Sequence, residues 1–332
     1  MVKLVVCGAI NWDVSCFVEH LPAPGEEVIV RQITRVSGGT GGNIAVAAAR
    51  ILGPEQVAMV GALGEDGIAP RQIVALDAEG VITEGIDRIP GVESGQAYIL
   101  VDQGGQNVIA SCLGANARLS LEHLSKPSVK RLLQECQSIV LTDPPLDVAR
   151  ELLTLAEQRG IPALWDPGIL VSQGREALEP LARLTKILFL NESEATALFG
   201  TAQLDMVLWH LRSLEFPNHV VLKLGAQGAA MLEPSSGTVM EIPALPLKAL
   251  GLSVINTVGC GDVFGGVFAA YRSLGAGLQK SLIMAATAAG LNATHPETRG
   301  GPERAALEAA EEQGRNLGFV VQERKHKPPK SY

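Results

Sequence analysis

The residues best suited to chemistry sit in two glycine-rich turns. Asn256-Thr257-Val258-Gly259-Cys260-Gly261-Asp262-Val263-Phe264 opens a helix of small residues. Gly259, Cys260 and Gly261 would present consecutive backbone N–H groups at the helix N-terminus, a nest that holds anionic oxygen with help from the helix dipole. Asp262 follows within the first turn. The dipole alone favours an acid there. A carboxylate beside an anion hole is nonetheless poorly placed unless it takes a proton from a hydroxyl. A base for an alcohol, with donors for a transferring anionic group, is what phosphoryl transfer to an alcohol requires.

The other turn, Ser37-Gly38-Gly39-Thr40-Gly41-Gly42-Asn43, runs straight into the Ala-rich helix Ile44 to Arg50. Its glycines let backbone approach a ligand closely, and free N–H groups of the helix face whatever sits there. Asn43 is expected at the helix cap, with its amide able to reach a cleft. Close helix–sheet packing would also account for these glycines. Rival fingerprints fail. No GxxxxGK[ST] exists, and neither turn completes GxGxxG, which excludes a P-loop and removes most support for a dinucleotide-linked oxidoreductase. No HExxH, paired cysteines or clustered histidines mark a transition-metal site. Cys260 has no neighbouring His to activate it and is read as a small residue lending its N–H.

Alternating elements must position these turns. Strands are expected at Leu4–Ala9, Gln56–Val60, Ser138–Thr142, Pro162–Trp165, Lys186–Leu190 and Val220–Leu224. Helices are expected at Asn43–Leu52, Pro70–Gly80, Leu146–Arg159 and Glu192–Phe199. That spacing implies βαβ units and a mostly parallel, doubly wound sheet whose ligands lie outside the carboxyl ends of the strands. Val28–Val36 and Gln96–Ser111 alternate differently. They are expected to pair with each other as a small flap, the second folding at Gln103-Gly104-Gly105-Gln106; an ordinary edge hairpin would look the same.

The 332 residues are 47% hydrophobic and 19% charged, with 27 Lys and Arg against 35 Asp and Glu, net −8. Such a chain buries a core and is a poor binder of nucleic-acid backbones. Five cysteines without a CxxC pair argue for a reducing, cytoplasmic setting. The N-terminal MVKLVVCGAIN reads as a strand, no 18-residue apolar stretch would span a membrane, and the basic end Glu323–Lys330 reads as a solvated, flexible terminus.

With both turns placed, the sequence resembles the ribokinase family of carbohydrate kinases (the phosphofructokinase-B type), over about residues 3 to 312. Gly8-Ala9-Ile10-Asn11-Trp12-Asp13 resembles the first-strand motif, in which Asn11 and Asp13 would bind sugar hydroxyls. Pro22-Ala23-Pro24-Gly25-Glu26 matches the beginning of the lid, and Gly38 to Asn43 the signature lining the sugar pocket. Gly114-Ala115-Asn116-Ala117 looks like the return from the lid. Asn191-Glu192-Ser193-Glu194 matches NxxE, which orders Mg²⁺ and nucleotide phosphates, and Leu224-Gly225-Ala226-Gln227-Gly228 matches a nucleotide-binding loop. Gly259 to Asp262 fits the GAGD signature, and Ala286 to Thr294, including Asn292, matches the adenine region.

The resemblance implies a three-layer α/β kinase domain over 1–312, with a β lid from about 14–36 and 92–112, followed by a 313–332 C-terminal segment. It implies ATP with Mg²⁺ and a small sugar acceptor. Asp262 would be the general base, and Gly259, Cys260 and Gly261 the anion hole. Gly38, Gly39, Thr40 and Asn43 would border the sugar; Asn191, Lys223, Gly225 and Gly228 the nucleotide; Glu194 and Asn191 would hold Mg²⁺ through water. A nucleoside phosphorylated on its ribose 5′-hydroxyl is the alternative acceptor, and a non-catalytic sugar-binding protein a remote one. Departures matter. Asn256 replaces an Asp associated with a monovalent cation, which puts K⁺ in question. Thr40 replaces a Lys. Lys223 replaces a Thr and would either touch phosphate or stand solvated at a strand end. Asp143 would contact a hydroxyl or cap the helix after Pro144-Pro145, and Trp12 would be a base-stacking surface or core. An exposed apolar flap face would favour a homodimer joined through the lid strands.

Overall fold

Apolar runs such as Leu4–Gly8 and Ser138–Thr142 are buried along their whole length, as strands covered by helices on both faces must be. The computed structural model describes residues 1–104 and 106–326. Its first half contains β1 (Leu4–Gly8), β2 (Asn11–Phe17), β3 (Gln32–Gly38), α1 (Thr40–Leu52), β4 (Val57–Gly64), α2 (Ile68–Ala78) and β5 (Val81–Ile89). There follow β6 (Gly95–Val101), β7 (Asn107–Cys112), α3 (Leu121–Leu124), α4 (Pro127–Glu135), β8 (Ser138–Thr142) and α5 (Leu146–Arg159). Next come β9 (Ala163–Asp166), α6 (Arg175–Ala182), β10 (Ile187–Asn191), α7 (Glu192–Phe199), α8 (Leu204–Ser213) and β11 (His219–Lys223). The last elements are β12 (Ala229–Glu233), β13 (Thr238–Ile242), α9 (Cys260–Ser273), α10 (Leu278–Asn292), α11 (Arg304–Asn316) and β14 (Gln322–Lys325).

Ten strands form the large sheet in the order β14-β13-β12-β11-β10-β9-β8-β1-β4-β5. β5 through β11 run parallel, and β12, β13 and β14 close the edge antiparallel. Strand order reverses at β1, where β4 and β8 flank it, so a crevice opens beside that switch point. One face is covered by α1, α9 and α10, the other by α5, α6 and α8. Small residues let the first group approach closely: a Cβ on Gly266 of α9 would meet Ile44 O of α1 at 2.5 Å. Phe189 of β10 packs edge-on to Phe264 and Phe268, with centroids 6.3 and 5.4 Å away. That ties α9, and with it the second glycine turn, to the centre of the sheet.

A second sheet has the order β3-β2-β6-β7. Here the expected pairing needs correction: β3 starts at Gln32, not Val28, and pairs with β2 rather than with β6 or β7. β2 alternates polar and apolar residues from Asn11 to Cys16, as a half-buried strand does, and supplies the partner that β3 needs. The hairpin between β6 and β7 is closed by Asp102, whose N–H donates to Gln106 O at 3.0 Å and whose Oδ1 accepts from Gln106 N at 2.9 Å. Gly105 of the anticipated Gly-Gly turn lies outside the described residues.

The C-terminal expectation also fails in part. Gln322–Lys325 is strand β14 against β13, not a frayed end. Arg324 pairs with Glu241 at 2.5 Å and Asp205 at 2.9 Å. The remaining basic residues, from Lys327 onward, lie outside the described residues. Among those described, no helix is long and apolar enough to cross a membrane.

Candidate active site

The carboxyl ends of adjacent parallel strands each present a polar residue to one crevice. Asp143 follows β8, Asp166 ends β9, Asn191 ends β10 and Lys223 ends β11, with Thr142 registered against Asp166 and Asn191 against Lys223. The resulting cleft has a volume of 770 Å³. Thr40, Asn191, Glu194, Gly225, Gly228 and Asp262 are among the residues on its walls. One end is apolar, with Leu245, Leu247, Val254, Ala286, Ala289 and Ala293. Gly228 holds the loop over the cleft at φ 98°, where a side chain would overlap Ile242 O.

Asp262 lies one turn into α9, whose cap is Gly259 at φ 79°. A side chain on Gly259 would overlap Thr298 O, so this turn needs glycine both for its left-handed backbone and for space. Burial pushes the Asp262 carboxyl up to about 7, against the opposing pull of the Asn43 hydrogen bond and of Lys223. Asn43 Nδ2 donates to Asp262 Oδ2 at 2.8 Å, which leaves Oδ1 unclaimed by that bond. Burial raises the pKa of the Cys260 thiol, which disfavours the thiolate a nucleophile would need.

The cap of α1 is Gly39, not Asn43. Asn43 sits in the first turn, where its side chain bridges Asp262 and Arg299. Gly39, at φ 88°, would meet Asn11 N if it carried a side chain, and Gly38 would meet the Asp13 carboxylate. These glycines therefore let β2 and the turn lie against each other. Asp13 is pushed up to about 6 by burial, with Arg299 opposing. Asn11 Oδ1 accepts from Asn116 Nδ2 at 2.9 Å, so Gly114-Ala115-Asn116 orients Asn11 with its NH₂ group left to donate. Trp12 is half-buried, with the Arg71 guanidinium 5.9 Å over its ring.

Lys223 is not a solvated strand-end lysine. Its ammonium pairs with Asp166 and is buried among carboxylates. Burial lowers its pKa, but Asp166, Glu194 and Asp262 outweigh that effect and hold it above the ordinary lysine value. Glu194 is pushed up to about 7, by burial first and by Asp166 next. Asn191 and Glu194 form a reciprocal capping box on α7: Glu194 N donates to Asn191 Oδ1 at 2.9 Å, and Asn191 N to Glu194 Oε2 at 2.8 Å. NxxE thus builds the helix start whatever else it does.

Asp143 does not cap α5, whose cap is Pro145. It adopts φ 53°, a left-handed backbone uncommon outside glycine. Its Oδ2 accepts from Thr40 Oγ1 at 3.0 Å and its Oδ1 from Ile169 N at 2.8 Å, so both oxygens serve the protein. Its pKa is raised to about 6 by burial and by Asp166. One further expectation needs correction. Asn292 is wholly buried and donates to Val258 O and Cys260 Sγ at 3.3 and 3.4 Å, supporting the turn that opens α9 instead of facing nucleotide. Asn256 Nδ2 donates to Pro296 O and its Oδ1 accepts from Val258 N, so both ends of its amide are used within the protein.

Sequence reasoning missed Asp166 and Arg299. Asp166 had a signal, an acid at the end of an apolar run before Pro-Gly. Arg299 had none, because its partners are 256 and 261 residues away.

The site is thus set in a doubly wound α/β layer, with a carboxylate in the first turn of a glycine-capped helix and a small second sheet beside the strand ends. The pfkB family of carbohydrate kinases matches residues 1–305, and the chain belongs to it. A ribokinase of Schizosaccharomyces pombe is 26% identical over 298 residues, covering 86% of this chain and 90% of that one. An ATP-dependent ribose-1-phosphate kinase of Halopiger xanaduensis is 26% identical over 312 residues, covering 93% and 98%. The structure of Arabidopsis thaliana ribokinase complexed with ribose and ATP superposes with a TM-score of 0.81 at 25% identity, covering 94% and 99%. The protein is a kinase of the sugar and nucleoside class.

Proposed function

We propose that the protein transfers the γ-phosphoryl group of ATP to a primary hydroxyl of a small sugar. The observation that carries this is Asp262: half-buried, held through one oxygen by Asn43, and set in the first turn of the helix that Gly259 caps. Cys260 N–H already donates to Thr257 O there, so the Gly259 and Gly261 N–H groups are the ones offered to an anion. A carboxylate whose pKa lies near 7 is matched to take a proton at neutral pH. Asn11, Asp13 and the Gly38–Gly39 backbone hold the acceptor hydroxyls, and Asn43 borders them. As the hydroxyl oxygen attacks, its proton passes to Asp262 while the turn N–H groups meet charge on the transferring group. Lys223 reaches the phosphates from its pairing with Asp166, and the apolar end of the cleft takes the base of the nucleotide.

Carboxylate oxygens of this kind suit Mg²⁺. Among the described residues no group of three or more His, Cys, Asp or Glu would cage a metal unaided. Glu194, whose Oε1 is not used by the capping box, and Asn191 would hold it, and it would neutralise phosphate charge. The small sheet serves as a lid that excludes water. Its exposed Phe17, Ile33, Tyr98, Val108 and Ile109 favour a homodimer joined through the lids. Arg71 stands over one face of Trp12, so a base could stack there only on the other face, which weighs toward a sugar over a nucleoside.

The test is ADP release with ATP and Mg²⁺ across ribose, deoxyribose, fructose, phosphosugars and nucleosides. One acceptor should stand out, and Asp262→Asn should lower kcat with it by at least about a hundredfold while ADP binding persists. Near-normal kcat in that variant removes Asp262 from the role of base.

A further inference from the structure

Arg299 is 9% exposed and lies in the Gly- and Pro-containing stretch after α10. Its loop is tied to α1: Arg50 Nη1 donates to Arg299 O at 2.8 Å, and Arg50 itself pairs with Glu79 at 2.6 Å. Gly42 makes room for it, since a Cβ there would stand 2.5 Å from Nη2. From this pocket Nε donates to Asn43 Oδ1 and Nη2 to Gly38 O, each at 2.9 Å. One buried side chain therefore touches the sugar-side turn and the amide that holds Asp262.

The chemistry of the partners fixes a direction. A guanidinium can only donate, so the end of the Asn43 amide facing Arg299 must be the oxygen. The other end, facing Asp262 at 2.8 Å, must then be the NH₂. A donor at that place favours the ionised carboxylate, whereas an amide oxygen would suit only a protonated one. We propose that Arg299 is a positioning residue for phosphoryl transfer, locking the Asn43 amide with its NH₂ toward Asp262 so that the base stays free to accept a proton. This rests on the reading of Asp262 as the base. Asp262 also faces Lys223 from β11, Asp166 from β9 and Asp143 after β8, and Arg299 acts on it weakly through space. The experiment must separate that direct effect from the amide.

The full chain labelled with ¹³C-aspartate allows the Asp262 carboxyl to be titrated by NMR, its signal identified by loss in Asp262→Asn. Arg299→Met should raise the midpoint by about one pH unit, the scale of a hydrogen bond to a charged group. The kcat of the same variant should fall about fivefold at pH 7 and recover toward alkaline pH, with ADP affinity within about twofold of the parent. In an Asn43→Ala background, Arg299→Met should move the midpoint no further. An unmoved midpoint, or an equal shift in both backgrounds, overturns the proposal. If Arg299→Met does not fold, Arg299→Lys keeps the charge but cannot span both acceptors; its midpoint should also rise, and an unchanged one overturns the proposal. A parent that makes no acceptor-dependent ADP counts against the kinase reading alone, because the titration still judges Arg299.

Discussion

Replacing Lys223 with Met would remove the positive charge that sits among Asp166, Glu194 and Asp262. The side chains of Lys223 and Asp166 are only 16% and 12% exposed, so solvent does little to screen the loss. Breaking a buried pair by deleting one partner costs about 3–5 kcal/mol. Unfolding entropy of about 2.1 cal/mol/K per residue over 332 residues gives about 0.7 kcal/mol per degree. Lys223→Met should therefore lower Tm by about 4–7 °C at pH 8. At pH 5 the deficit should shrink, because Glu194 and Asp262 are then protonated in the fold. Adding Asp166→Asn removes the stranded charge and should return Tm to within about 2 °C of the parent, as neutral replacement of both partners often does. The phosphate contact would not return with it, so kcat/KM for ATP should stay low in the double variant. Scanning calorimetry at the two pH values, with ATP kinetics on the same proteins, decides the matter. An unchanged Tm in Lys223→Met would refute the burial argument, and ATP kinetics restored by the second substitution would refute the role at phosphate.

Glu194→Gln keeps a side-chain oxygen for Asn191 N and should leave Tm within about 1 °C of the parent, whereas Glu194→Ala loses one arm of the capping box and about 1 kcal/mol. Both remove the charge, so Mg²⁺ titrations of activity should shift to higher metal in both, with Tm separating the two effects. The raised pKa values of Asp13 and Asp143, about 6, and of Glu194 and Asp262, about 7, give a further expectation. Between pH about 4 and 7 the folded chain holds protons that the unfolded chain has lost. Their contribution to stability is complete below about pH 4 and is lost as pH rises through 6 to 7. Urea midpoints across that range should fall less steeply in Asp262→Asn than in the parent; equal slopes would show that Asp262 does not titrate there.

Six of the parallel strands were legible because each is largely apolar, and Ser138–Thr142, Leu146–Arg159 and Glu192–Phe199 have the expected bounds. The parallel edge strand β5, with Thr83, Glu84, Asp87 and Arg88, was not expected. The glycine turns were legible because their backbone geometry allows little else. What failed had one cause, which is that contacts distant in sequence decided local structure. β2 alternates as a strand should, but its partners β3 and β6 begin well beyond the reach of a tight turn in sequence. Asn43 is drawn from its expected cap position to Asp262 and Arg299. Lys223 and Asn292 were placed by residue type and position in a motif, yet neighbouring strand ends enclose the first and the α9 turn engages the second. The C-terminal residues Gln322 to Lys325 have a composition typical of a solvated end, and only β13 gives them a strand's conformation.

That last strand has a consequence for how copies of the protein can meet. An open sheet edge offers unpaired backbone groups to any other strand. Here the edge is four residues long and reads Gln-Glu-Arg-Lys, with Arg324 already committed to Asp205 and Glu241. Short, charged edges are poor templates for another chain. β7 on the small sheet is the opposite case: exposed throughout, with Val108 and Ile109 open to solvent. The large sheet thus guards this flank with charge, while the small sheet leaves an apolar strand open, and the proposed lid-to-lid dimer would cover that strand and couple neighbouring sites.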